Sequence, residues 1–230
     1  HAVCHDACGD ELFRIVSSAG IAVTPQPRHI FTTLIPPSIL LRPGRPPSLV
    51  ADALFSVALP AVLQRGHPVG PVLGQRVLLF DVKTVHAGAP QYLSAWARAE
   101  QSGAVLQRAW EVHLAYESHA RRLDATHSPG GTTPILHRLT SYTPVRGLVF
   151  GQYSEASPDV HRILEVAASA LARKHWRLYG ARTETEARGF FLNQVRQRVG
   201  LWVAREFARH RIRRSALIGV PPGAIVNRAR

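Results

Sequence analysis

A short apolar stretch with charged residues set into it lies at residues 76–86, Arg-Val-Leu-Leu-Phe-Asp-Val-Lys-Thr-Val-His. Val77 and Leu79 share one face of an extended strand, and Leu78, Phe80 and Val82 share the other. Apolar residues on both faces predict a short central strand covered on both sides. Upstream, Leu12, Ile15 and Val16 recur at helical spacing. They predict a helix over 9–19, with Asp6 and Asp10 near its start and Gly20 ending it. Segments 21–24 and 30–35 predict strands on either side of Pro25-Gln26-Pro27, and 48–52 predicts another. Residues 36–47 are proline-rich, 53–63 are apolar but interrupted by Pro60, and 64–75 form a glycine- and proline-rich loop.

Downstream, residues 87–90 turn the chain, and 91–124 predict a long helix with a break at Gly103. A loop over 127–134 and a helical segment over 135–142 precede the second strongly apolar strand, 145–151. Ser157-Pro158-Asp159 predicts a helix start, serine as cap and proline in the first turn, for a helix running to about Leu178. A last helix over 184–211 carries Phe191, Val195, Val199 and Trp202 on its apolar face. In outline the order is a helix, strands that end with the one bearing Asp81 and Lys83, a long helix, a strand and two helices. It predicts an α/β fold with a mixed central β-sheet flanked by helices and a basic helical C-terminal extension. The expected divisions are an entry segment at 1–8, a core at 9–180, a basic helix at 181–215 and a tail at 216–230.

Charge changes the picture most in the last third. The 230-residue chain carries a net charge of +13. Residues 1–160 hold 13 basic and 11 acidic residues, whereas residues 161–230 hold 15 basic and 4 acidic ones. A basic third attached to a near-neutral body is the footprint of a polyanion binder. Arginine-rich but ordinary solvated helices are the alternative. A nucleic acid, DNA or RNA, is the expected partner. No apolar run is long enough to span a membrane. His1, Cys4, His5 and Cys8 are zinc-ligand types spaced too tightly for a tetrahedral site of their own. They read either as the remnant of an upstream zinc finger or as the entry to the first helix. Two cysteines give no disulfide framework, so a reducing, intracellular setting is expected. The chain lacks methionine altogether, which suggests a piece of a longer polyprotein.

Candidate chemistry centres on Asp81 and Lys83. Two apart on a strand, they leave the same face. Of 28 lysines and arginines only Lys83 and Lys174 are lysines, so Lys83 stands against an arginine background. Its compact ammonium differs chemically from a guanidinium. The alternative is a solvated strand end with a chance ion pair.

The element order and Asp81-Val82-Lys83 resemble the restriction-like nucleases of the PD-(D/E)XK superfamily. The chain is most similar to the endonuclease domain of site-specific non-LTR retrotransposons. His5-Asp6, Ala19-Gly20, an Arg-Pro segment, Leu78 to Thr84, Tyr92, and Leu148 to Gly151 with Glu155 carry that likeness. The resemblance implies metal-dependent DNA cleavage for a mobile element, in the nucleus, with Mg²⁺ or Mn²⁺ as cofactor. It implies Asp81 and Lys83 as catalytic residues. It also implies an aspartate after a proline in an earlier strand, where Ser48 stands, and a Glu-Pro where Gln26-Pro27 stands.

Asp52 is the only acid between Glu11 and Asp81. On a strand over 48–52 it would share a face with Ser48 and could supply the second carboxylate. The expected metal ligands are therefore Asp81, Asp52 and Glu11, although Glu11 also reads as a solvated first-turn carboxylate. Ser48, His86, Tyr92 and Glu155 are accessory candidates. Arg188, Arg196, Arg198, Arg205 and Arg209 are expected to contact nucleic-acid phosphates. The alternative function is a catalytically decayed nuclease fold that binds nucleic acid. A basic module binding RNA or protein is a third.

Overall fold

The computed structural model describes residues 2–36, 49–57, 76–85, 101–142, 144–152 and 154–218. Ser48, His86 and Tyr92 lie outside the described residues. So do most of the proline-rich segment, the 64–75 loop, the 87–90 turn and the end of the tail.

Helix α1 (Ala2–Ser18) starts earlier than its apolar stripe requires. Its first turns also face the sheet, where Cys8 is buried and Gly9 lies against Val82. Gly20, at φ 82°, ends it in the left-handed conformation that glycine adopts without strain. Strand β1 (Ala22–Pro25) follows as expected. The strand expected over 30–35 is instead a 3-10 turn, Arg28–Ile30, continued by the turn bond from Ile35 N–H to Phe31 O at 2.9 Å. Ile30, Phe31 and Ile35 turn inward from it to one core cluster. That burial outweighs their strand propensity.

The strand expected over 48–52 also shifts. Strand β2 is Ala53–Val57, and it pairs antiparallel with β1 and with β3 (Arg76–Val85). Asp52 stands just before β2, its carbonyl accepting the Gln26 N–H at 2.9 Å. Helix α2 (Gln101–His127) runs through Gly103 without a break. Helix α3 (Pro134–Ser141) leads to β4 (Arg146–Gly151), which lies parallel to β3. Helices α4 (Pro158–His175) and α5 (Glu184–Ile218) complete the chain.

The sheet order is β1-β2-β3-β4. The fold is therefore α/β, a four-stranded mixed sheet flanked by helices. Alternation along β3 sends Leu78, Phe80 and Val82 to the core built with α1, α4 and α5, and Leu79 to the core built with α2 and α3. In α5 the apolar stripe continues through Val203 and Phe207, while Trp202 sits at its border and donates its indole N–H to Ala7 O at 2.9 Å.

Ser157 does not cap α4 with its side chain. The buried hydroxyl donates to Gly147 O at 2.8 Å and accepts the Val149 N–H at 3.1 Å. It thereby satisfies the open edge of β4, which a sheet must otherwise cover.

No helix among the described residues is long and apolar enough to cross a membrane.

Candidate active site

The site forms where β2 begins and β3 continues past it. Ala53 pairs with Phe80, so one step further along the register Asp52 stands opposite Asp81. Past Phe80 the named ladder to β2 ends, and Asp52 Oδ2 accepts the Val82 N–H at 2.7 Å in place of a backbone carbonyl. A carboxylate that completes a ladder is fixed in position by the sheet itself.

Asp81 is almost wholly buried, whereas Asp52, Lys83 and His5 each keep about a quarter of their side chains exposed. Lys83 Nζ lies 2.5 Å from Asp81 Oδ2, yet that oxygen has no aligned hydrogen bond. Tyr116 of α2 donates its hydroxyl to Asp81 Oδ1 at 3.1 Å, with the Val50 carbonyl 3.3 Å away. Gly147, the register partner of Asp81 on β4, lets α2 come this close: a Cβ there would stand 2.8 Å from Ala109 Cα and 3.1 Å from Ala109 O.

From the other face of the sheet, α1 brings His5. Its Nε2 lies 3.1 Å from Asp52 Oδ2 and its Nδ1 2.8 Å from Asp6 Oδ1. Burial pulls the imidazole pKa down, but the hydrogen bonds to Asp52 and Asp6 outweigh it and raise the value to about 9. His5 is therefore an imidazolium at neutral pH. Burial pushes the Asp52 pKa up, but His5, Lys83 and the Val82 N–H together lower it below the usual carboxylate value. Asp81 goes the other way. Burial raises its pKa, Lys83 opposes this, and the neighbouring Asp52 carboxylate adds to the rise. Burial and the same two carboxylates hold the Tyr116 hydroxyl protonated, well above its ordinary range.

The structure thus brings Asp81, Lys83 and Asp52 together. Glu11 is turned to α5, where its buried carboxylate pairs with Arg198 at 2.5 Å and with Arg14. Glu155 lies against Gly151 at the end of β4. Gly151 pairs with Val85, four residues beyond Asp81, or about 13 Å along a strand. Among the expected phosphate contacts, Arg196 pairs with Glu165 at 3.3 Å and Arg209 with Glu206 at 2.5 Å. Arg205 lies over the Trp202 ring at 5.7 Å, and Arg188 is exposed.

Two site residues, His5 and Tyr116, were not among the expected ones. His5 was visible as part of a motif at the helix entry but had no assigned partner. Tyr116 had no signal beyond sharing a helical face with Val112 and Ala120.

The donor set suits a hard divalent cation. Two neighbouring carboxylates are oxygen ligands of the kind Mg²⁺ takes, and Asp81 Oδ2 is buried without an aligned hydrogen bond. Among the described residues no group of three or more His, Cys, Asp or Glu side chains is arranged for a metal. The protein would thus supply two side-chain ligands. No family model matches the chain, and neither a curated protein nor a solved structure matches it significantly.

Proposed function

We propose that this chain is a metal-dependent DNA endonuclease with a restriction-endonuclease-like fold. The observation that carries the reading is the apposition of Asp52 and Asp81, with Lys83 on Asp81, at the point where β2 begins. Burial raises the Asp81 pKa, and repulsion from the neighbouring Asp52 carboxylate adds to the rise. A divalent cation relieves that repulsion, and a phosphodiester brings the anion that Lys83 would neutralise. The order α1-β1-β2-β3-α2-β4 with a parallel last pair agrees with the resemblance seen in the sequence. The excess of basic residues after position 160 favours a nucleic-acid substrate.

In this reading Asp52 and Asp81 would hold Mg²⁺ or Mn²⁺, which would supply polarisation of the scissile phosphate and a lowered pKa for the attacking water. Lys83 stabilises negative charge developing on the phosphate oxygens. His5, as an imidazolium, keeps Asp52 ionised, and Tyr116 orients Asp81. The same reading assigns the cleavage to target DNA for a mobile element, within a longer nuclear polyprotein.

Incubation of supercoiled plasmid with the protein tests this. Nicking or linearisation is expected with Mg²⁺ or Mn²⁺ and is expected to stop with EDTA, Asp81→Asn or Lys83→Ala. Cleavage that survives both substitutions would remove the site from the chemistry.

A second reading, a decayed nuclease that binds nucleic acid, draws on the ion pairing of both carboxylates with Lys83 and His5. Salt-dependent DNA binding without cleavage under either metal would select it.

A further inference from the structure

The corner between α4 and α5 carries large apolar side chains that the core does not take up. Leu178 is 81% exposed, Tyr179 56% and Phe190 51%. The Tyr179 and Phe190 rings lie 5.4 Å apart between centroids. Both rest on buried Phe191, at 4.9 and 5.6 Å, in edge-on contacts. Phe191 therefore holds the two rings in place from the core side while about half of each stays open to solvent. Isolated exposed apolar residues are ordinary on a protein surface, but a contiguous aromatic pair with a flanking leucine is a patch that a partner can use.

The charges around this patch decide the kind of partner. Residues 173–190 hold five cations, Arg173, Lys174, Arg177, Arg182 and Arg188, against Glu184 and Glu186. Both acids are engaged within the corner. Glu184 lies 3.7 Å from Arg173, and Glu186 accepts the backbone N–H of Arg182 at 2.8 Å. Lys174 and the guanidiniums of Arg177 and Arg182 are exposed, and Arg177 lies over the Trp176 ring at 5.0 Å. Half-open rings carried on a segment rich in exposed cations suit a ligand that joins flat apolar faces to a polyanionic backbone. A single strand presents its bases for stacking in this way, whereas a duplex keeps base faces stacked inside.

We propose that the α4–α5 corner is a platform for single-stranded DNA, with Tyr179 and Phe190 stacking on bases and Arg177 and Arg182 holding phosphates. The inference rests on the reading of the chain as a protein that acts on DNA. It adds a place where a strand freed by cleavage or opening is retained. The corner is built from α4, α5 and the turn between them and shares no residue with the carboxylate site, so strand binding does not require the metal.

The test is equilibrium binding of the full chain, in EDTA, to a labelled oligo-dT, a duplex of the same length, an oligo-U and phosphatidylserine vesicles. Tyr179→Ala and Phe190→Ala are each expected to weaken oligo-dT binding on the order of tenfold and to leave duplex binding unchanged. Tyr179→Leu, which keeps bulk but has no ring, is expected to lose oligo-dT binding while melting at the wild-type temperature. Unchanged oligo-dT binding in these variants overturns the proposal, as does an equal loss for strand and duplex. Tighter binding of oligo-U, or of vesicles, overturns the choice of DNA. Wild-type protein that does not bind oligo-dT overturns the proposal as well, whereas failure of the nuclease reading appears separately, as wild-type protein that binds oligo-dT but leaves plasmid intact with Mg²⁺ or Mn²⁺.

Discussion

Asp52 Oδ2 accepts the backbone N–H of Val82 at 2.7 Å, so a side chain does the work of the strand that has not yet begun. Its removal has a structural cost apart from any chemistry. Asp52→Ala would leave the Val82 N–H without its acceptor in a residue only 1% exposed, and would leave His5 Nε2 without its carboxylate. A loss of about 1–3 kcal/mol in urea denaturation is expected. Asp52→Asn retains a carbonyl oxygen for Val82 and is expected to lose clearly less. Equal losses for the two would mean that charge, not the ladder, sets the role of Asp52.

The pairing of His5 with Asp52 makes stability depend on pH in a defined window. The folded pKa of His5 is raised to about 9, above its unfolded value near 6.5. Its contribution is complete below about pH 6.5 and is lost as pH rises through about 9. Asp52 is shifted down, so its contribution is present above its unfolded value and is lost as pH falls through the folded one. Thermal melts of the metal-free protein are expected to fall between neutral pH and pH 9, and His5→Gln is expected to flatten that fall. A His5→Gln profile that parallels wild type would remove His5 as its source.

Asp81 has the opposite sign. Its folded pKa is raised, first by burial and further by Asp52, so ionising it costs stability at neutral pH. Asp81→Asn removes that charge and keeps an oxygen for Tyr116. It is expected to melt at or above the wild-type temperature in EDTA while abolishing the proposed cleavage, the trade seen where function holds a site in strain. A clear drop in melting temperature would show that the Lys83 ion pair outweighs the burial cost.

Much of this arrangement was legible in local pattern. The strand bearing Asp81 and Lys83 stands out because both of its faces are apolar, and β4, α4 and α5 follow from equally strong periodicity. Asp52 was a candidate because no other acid lies nearby in sequence. Its position was misjudged because the strand begins one residue after it, at Ala53, and pairing with β3 rather than propensity sets that start. The parts that local pattern did not reveal are the long-range ones. Arg198 was expected to face phosphate, but buried Glu11 on α1 holds it. Ser157 suits a helix cap by type, yet the open edge of β4 takes its hydroxyl. Tyr116 joins the site only because α2 packs on a strand formed later in the chain.

That packing depends on Gly147. A Cβ at this position would meet the Ala109 backbone, Cα at 2.8 Å and O at 3.1 Å, and a helix backbone cannot yield as a side chain does. Gly147→Ala must therefore lift α2 from β4, and overpacking of this kind costs about 1–3 kcal/mol. The lift acts next at Tyr116, two turns along α2 from Ala109, whose hydroxyl would move off Asp81. Gly147→Ala is thus expected to lower stability in urea and, in the plasmid assay, to raise the Mg²⁺ concentration needed for cleavage. Tyr116→Phe should reproduce the second effect, on the order of tenfold, since partners of metal-binding carboxylates tune affinity by that much or more. If Gly147→Ala unfolds at lower urea but cleaves with the wild-type Mg²⁺ requirement, the glycine serves only the packing of α2, and Tyr116 holds Asp81 without its help.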